Sequence, residues 1–235
     1  MDRPYDRREV NQEAVIHLAG SGYFRHVWFM ERPSQQQAVV LKEWQLTKDF
    51  PINEHAIFQV QKESIILERL STSDRIIDTY GHCGIRYLAE AANGDIVDEL
   101  VPPSGYMAQA DLDQSQVDGA LSMNSMTLSA KIKMALVMAQ SIADIHGYVG
   151  GVIAHGDVHP EQWLRTLDSK IKPNDLNLAE IIPWDPWNET HCDMYPCFSC
   201  SFHAPEELNC RSGSEAFDTY SFGNNLYVLL TGLWP

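Results

Sequence analysis

The chain holds 235 residues, 44% apolar and 21% charged, enough for one large domain or two lobes with a proper core. Its formal net charge of -15 argues against a nucleic-acid or anionic-membrane surface, since both need basic patches, and is compatible with a basic partner. No window approaches the roughly 18 uninterrupted apolar residues of a spanning helix, and the polar, charged N-terminus carries no visible secretory signal.

Residues 14–30 (AVIHLAGSGYFRHVWFM) set two apolar, β-branched and aromatic runs around Gly20-Ser21-Gly22, which predicts a hairpin. After a turn signal at Pro33-Ser34, residues 38–42 (AVVLK) read as a short strand ending in Lys42. The spacing of Ile57, Phe58, Ile65, Ile66, Leu67 and Leu70 predicts a helix over 55–70. Two more short strands are expected around 76–80 and 86–89, giving an antiparallel sheet with one helix.

Residues 93–125 break this pattern. They carry Asn93-Gly94, Pro102-Pro103 and Ser104-Gly105, acidic residues from Asp95 to Asp118, and no Lys or Arg, which reads as a loop-rich connection. From Thr127 the chain turns helical, with Ile132, Ala135, Leu136, Ala139, Ile142 and Ala143 forming one apolar stripe, and the helix ends at Gly147. A polar, Trp- and Pro-rich stretch covers 183–203, and 217–230 reads as a last apolar helix.

Five cysteines, an odd count, fit a reducing compartment better than a disulfide framework. Cys192, Cys197, Cys200 and Cys210 cluster near His191 and His203, but only Cys197 and Cys200 have a zinc-like spacing. Free loop thiols are therefore expected.

The segment His155-Gly156-Asp157-Val158-His159-Pro160-Glu161-Gln162-Trp163-Leu164 carries an Asp two residues after a His. That is the shape of a loop on which phosphoryl-transferring enzymes hold a proton acceptor beside a metal ligand. Asn174-Asp175-Leu176-Asn177 follows, then Phe202-His203-Ala204-Pro205-Glu206-Glu207 and Phe217-Asp218-Thr219-Tyr220-Ser221-Phe222-Gly223, then Leu229-Leu230-Thr231-Gly232. With Gly20-Ser21-Gly22 and Val39-Val40-Leu41-Lys42 ahead of them, these pieces resemble a eukaryotic protein kinase domain from about residue 14 to the end.

The resemblance implies an α+β, bilobal fold, with an antiparallel-sheet N-lobe over 1–92, a hinge and acidic insert over 93–125, and a partial, mainly helical C-lobe over 126–235. It implies ATP and Mg as cofactors. Leu18, Gly20, Gly22, Val27, Val40, Lys42 and Leu164 would surround the nucleotide, with Glu63 holding Lys42. Asp157 would accept the substrate hydroxyl's proton, with His159 where serine/threonine kinases place a lysine. Asp175 and Gln162 would meet the metal, and Asp218 would brace the catalytic loop's backbone.

Several positions depart from the family pattern. Arg25 stands at the third glycine, and Asn177 replaces the glycine after Asp175-Leu176. Gln162 replaces an asparagine; its extra methylene displaces the amide by ~1.5 Å, and errors near 1 Å cost on the order of a hundredfold in rate. Gly156 replaces an arginine that normally meets an activation-loop phosphate, so modification of Thr190, Tyr195, Ser199 or Ser201 is expected to leave activity nearly unchanged. The family also continues for several helices beyond the last run, so the resemblance implies a truncated lobe in which Glu206 lacks its arginine partner and helical faces near 132–145 and 222–230 lose packing.

Three functions are compatible with these residues. The first is an ATP- and Mg-dependent kinase acting on Ser/Thr hydroxyls of a protein substrate, in the cytoplasm or as the intracellular part of a larger protein. The second is a pseudokinase that binds or scaffolds. The third is a small-molecule phosphotransferase, whose His-Gly-Asp-Leu-His-Pro loop the segment His155–Pro160 also resembles.

Overall fold

Strands β1 (Val15–Ser21), β2 (Arg25–Arg32) and β3 (Gln37–Trp44) run antiparallel, helix α1 (Glu54–Leu70) follows, and β4 (Thr79–Cys83) and β5 (Arg86–Glu90) complete the sheet. The order is β1-β2-β3-β5-β4. The computed structural model describes residues 15–22, 24–32, 37–46, 53–101, 111–194, 196–197 and 201–235. It divides into two units, Met1–Ala92 and Asn93–Pro235. The turn expected at Pro33-Ser34, the Pro102-Pro103 and Ser104-Gly105 signals, and Tyr195, Ser199 and Cys200 lie outside the described residues.

Period-two alternation decides the buried face of this sheet. Val40, Lys42 and Trp44 of β3, Tyr87 and Ala89 of β5, and Arg25 of β2 are all buried. Helix α1 starts at Asn53, whose side chain accepts the Ala56 N–H at 2.8 Å. It buries Ala56, Val60, Glu63, Leu67 and Leu70, a helical spacing, and Trp44 packs with Ala56 and Val60 beside Phe24 and Ile85. Each fully buried aliphatic side chain there contributes about 1.5–3 kcal/mol.

The fourth strand begins three residues later than the expected 76–80. Ile76 and Ile77 are fully buried in the bend that precedes it. Their apolarity reports burial beneath the chain, and a short apolar pair cannot tell that from a strand.

In the second unit, β6 (Ala92–Asp95) leads to the short α2 (Val97–Leu100), then α3 (Gln114–Met123) and α4 (Leu128–His146). Asp113 and Gln116 form a reciprocal capping box for α3, and Thr127 caps α4 by accepting the Ala130 N–H at 3.2 Å. Residues 93–125, read from the sequence as hinge and insert, cluster with this unit. Next come β7 (Val152–Ala154), β8 (Trp163–Thr166), β9 (Ile171–Pro173), β10 (Glu180–Ile182), β11 (Trp184–Asp185), β12 (Thr190–His191), α5 (Pro205–Leu208) and α6 (Ala216–Thr231). Strand β7 pairs with β10, β11 with β12, and β6, β8 and β9 form a third small sheet.

The buried side of α4 shares only Ile142 with the apolar stripe read from the sequence. Met134, Met138, Ser141, Ile142 and Ile145 face inward, while Ile132 and Leu136 are 60% and 56% exposed. Two apolar stripes share this helix, and the methionine-bearing one packs into a core with Val158, Trp163, Phe202, Val228 and Leu229. Methionine's adaptable side chain fills such a gap readily. The architecture is an α+β fold, with an antiparallel-sheet N-terminal region and helices later in the chain, consistent with a kinase-like fold.

Candidate active site

The loop after β7 is held from below by one face of α6. Asp218 Oδ2 accepts the His155 backbone N–H at 2.7 Å and Asp218 Oδ1 accepts the Gly156 N–H at 2.9 Å. The His146 Nε2 lies 2.8 Å from the same Asp218 Oδ2. One turn on, the Ser221 hydroxyl donates to the Phe202 carbonyl at 2.9 Å, and one further turn on, the Asn225 amide donates to the Val158 carbonyl at 2.9 Å. Residues 218, 221 and 225 share a helix face, and all three are buried. Sequence reasoning placed Asp218 in this role and missed Ser221 and Asn225; polar residues at helical spacing behind an aspartate were the available signal.

Gly156 stands where the resemblance expects an arginine, and the backbone there suits glycine. Its φ is +75°, and a Cβ there would lie 2.9 Å from the Leu178 carbonyl oxygen. A side chain at this position therefore meets both backbone strain and backbone crowding.

Asp157 follows directly. Its Oδ2 accepts from the Gln162 side-chain amide at 3.0 Å, and its Oδ1 faces His159 Nε2 at 3.4 Å. The same Gln162 nitrogen is 3.1 Å from His159 Nε2, and the His159 ring lies against the buried Phe202 ring. Burial pushes the Asp157 carboxyl up, but the hydrogen bond and charge of His159, the charge of His155 and the Gln162 amide outweigh it. The group is held below the usual carboxylate value. Asp157, His159 and Gln162 thus form one cluster, and the Gln162 amide nitrogen is directed to the acid.

Asp175 adopts left-handed backbone (φ 59°, ψ 64°) at the start of a short 3-10 turn, Leu176–Leu178. Aspartate tolerates that conformation better than most residues. Leu176 is fully buried. Asp175 Oδ1 and Asn177 Oδ1 are buried oxygens with no hydrogen-bond partner among the described residues. Such oxygens suit a hard cation, and magnesium commonly takes only one or two carboxylates. Among the described residues, no group of three or more His, Cys, Asp and Glu side chains gathers as a metal cage. Leu164 lies in β8.

In the first unit the Gly-rich hairpin is β1–β2, with a register irregularity between Leu18 and Gly20. The Gly22 N–H donates to the Arg25 carbonyl at 2.8 Å, and Gln45 ties down the Gly22 and Arg25 carbonyls. A Cβ at Gly20 would meet nothing within 4 Å, so the hairpin borders open space. Val27, Lys42 and Tyr87 are successive cross-strand partners on β2, β3 and β5, and Val40 is buried two residues before Lys42. Glu63, expected from the sequence to hold Lys42, is ion-paired with Arg25 and accepts the Tyr87 hydroxyl at 2.9 Å.

Around α5 the buried carboxylate is Glu207. It accepts the Ala204 N–H at 2.7 Å, whereas Glu206 is exposed. Burial raises the Glu207 carboxyl above its ordinary value, against that hydrogen bond. Cys197 and Cys210 are joined in a disulfide, correcting the expectation of free thiols there; Cys83 and Cys192 are free. Their Cα atoms, 13 residues apart in sequence, lie 4.5 Å apart, within bonding range.

No protein-family model matches the chain. It is 26% identical over 223 residues to PTI1-like tyrosine-protein kinase 2 of Arabidopsis thaliana, covering 93% of this chain and 56% of that protein. It is 28% identical over 138 residues to calmodulin-binding receptor-like cytoplasmic kinase 1 of the same plant, covering 59% and 29%. A probable inactive receptor kinase of Arabidopsis thaliana is 28% identical over 102 residues, covering 43% and 15%. The chain therefore spans little more than half the length of one of these relatives and less than a third of the other two. No described helix is long and apolar enough to cross a membrane. The ordered motifs, the α+β fold and these likenesses together support a protein kinase-like domain.

Proposed function

We propose that this domain binds ATP and Mg and transfers the γ-phosphate to Ser/Thr hydroxyls of a protein substrate in an intracellular setting. The observation that carries the reading is Asp157. An ionised carboxylate sits beside His159 on a loop whose backbone is bonded at His155, Gly156 and Val158 by α6. Phosphoryl transfer needs positioning and electrostatic stabilisation more than covalent chemistry, and a rigid loop supplies positioning.

In this reading Asp157 orients the substrate hydroxyl and accepts its proton while the Gln162 amide donates to Oδ2, since a carboxylate has further acceptor sites. His159 adds positive charge beside that acceptor when protonated. Lys42 and the β1–β2 hairpin would meet the phosphates, and Leu18, Val27 and Val40 would offer apolar contact to the base. Asp175 would hold magnesium through its Oδ1, a buried oxygen with no hydrogen-bond partner among the described residues. Magnesium supplies charge neutralisation at the phosphates when bound.

The pseudokinase reading has an observation of its own: Gln162, one methylene longer than the asparagine the resemblance expects, turns its amide nitrogen to Asp157 and His159. Phosphate transfer to a generic basic protein separates the two. The kinase reading expects transfer that Asp157→Asn lowers by about a hundredfold or more; nucleotide binding without transfer favours the pseudokinase.

A further inference from the structure

The Trp- and Pro-rich stretch after β10 takes no part in the Asp157 cluster, yet it has a defined shape. Trp184–Asp185 and Thr190–His191 pair as β11 and β12, and the Cys192 N–H closes the foot of the hairpin on the Pro183 carbonyl at 2.9 Å. At the tip, Asp185 Oδ1 accepts the Trp187 N–H at 2.9 Å and Asp185 Oδ2 accepts the Asn188 side-chain amide at 2.7 Å. The Trp184 ring meets His191 edge-on at 5.0 Å. Even so, Trp187 is 92% exposed and Trp184 52%. Two large indole rings displayed on a formed turn are apolar surface of the kind that a partner covers.

Both feet of this hairpin stand on one cavity of about 350 Å³, which Pro183 and Asp193 line together with Glu180, Ile182, Met194 and Pro196. Its floor belongs to the core. Ile182 and Met194 pack with Ala154 and Phe217, and Met194 exchanges backbone hydrogen bonds with Gly213 at 3.0 and 3.1 Å. Its charge has one sign: between Lys172 and Arg211 the chain holds no Lys or Arg, while Glu180, Asp185, Glu189 and Asp193 lie along the hairpin and its feet.

We propose that the β11–β12 hairpin and the cavity at its base dock an extended, arginine- or lysine-bearing segment of a partner protein. Trp184 and Trp187 take its cations on their ring faces, because the electron-rich face of an indole attracts a cation better than any other side chain does. Glu189 and Asp193 add opposite charge. The cavity, at the small end of ligand pockets, receives one side chain of the segment. A tryptophan beside a pocket is also the usual make-up of the energetic centre of a protein interface. Asp157, His159 and Gln162 are not in the cavity's lining, so the surface serves a kinase and a pseudokinase alike.

The test is fluorescence anisotropy of a fluorescein-labelled Arg-Ala-repeat peptide titrated with the full chain, beside a Glu-Ala-repeat peptide of equal length. No nucleotide is present, so the result does not depend on phosphate transfer. The parent should bind the arginine peptide and leave the glutamate peptide free. Trp187→Ala should weaken binding by about tenfold, with the parent's melting temperature kept, since the ring is exposed. Glu189→Gln with Asp193→Asn should weaken binding by a similar factor and flatten its salt dependence. Glu68→Gln with Asp74→Asn, two exposed acids of the first unit, should leave it within about twofold. A parent that does not bind the arginine peptide overturns the proposal, as does Trp187→Ala binding as tightly as the parent. Equal losses from the Glu68–Asp74 and Glu189–Asp193 pairs would reduce the effect to net charge and overturn it as well. Self-association of the parent that Trp187→Ala abolishes, without peptide binding, would give the surface to a second copy of this chain and likewise overturn it.

Discussion

Asp218 accepts the backbone N–H of Gly156 at 2.9 Å, one residue before Asp157. The carboxylate that braces the loop and the carboxylate that would do chemistry are thus separated by a single glycine. Because the brace is a buried side chain on α6, the loop's geometry belongs to the core.

Replacing that brace should be costly. Asp218→Ala leaves two buried N–H groups and the His146 ring without their acceptor. Hydrogen bonds to charged groups contribute about 1.5–3 kcal/mol each, so a loss of about 3 kcal/mol or more is expected in urea denaturation. Asn225→Ala, which removes donations to the Val158 and Ser221 carbonyls, should cost about 1–2 kcal/mol.

Restoring the family's arginine at position 156 should harm the protein. Gly156→Arg puts a Cβ near the Leu178 carbonyl in left-handed backbone, and a cost of about 1–3 kcal/mol is expected from thermal or urea melts. Gly156→Ala should show most of the same loss, since the clash begins at Cβ.

The acid limb of stability should report Asp157. Its carboxyl is held below the usual carboxylate value, so its contribution is present above the unfolded value and is lost as pH falls through the lower folded value. His159→Ala should raise the Asp157 value and shrink that contribution. A stability-against-pH curve for His159→Ala that matches the parent from pH 2 to 6, by the ordinary carboxylate range, would contradict this.

Glu207 titrates with the opposite sign. Its carboxyl is raised by burial, so the proton favours the folded state, and that contribution fades as pH rises through the folded value. Glu207→Gln should flatten this dependence. Glu206→Ala, at an exposed position, should change stability by no more than about 0.5 kcal/mol.

The sequence made the frame legible where local pattern and long-range packing agree. The β1–β2 hairpin, the Lys42 strand, α1 and α6 fall where hydrophobic period and turn residues place them. Ordered motifs also located Asp218, which accepts the His155 and Gly156 N–H groups. What stayed hidden depends on tertiary choice. Two apolar stripes competed on α4, and packing selected the one with Met134 and Met138. Glu63 had two basic candidates on one sheet face, and no one-dimensional pattern reveals that Arg25 reaches it with Tyr87. The Gln162 amide lies on Asp157 because its longer side chain reaches back along a turn, a matter of rotamer rather than spacing.

The central claim is that this fold holds ATP with Mg through Asp175. The most direct measurement is thermal stability with ATP and Mg at a hundred times the dissociation constant, for the parent and for Asp175→Ala. Linkage predicts about 2.7 kcal/mol of stabilisation in the parent and much less in the variant. A parent protein unmoved by ATP and Mg, or a variant that gains as much as the parent, would contradict the account.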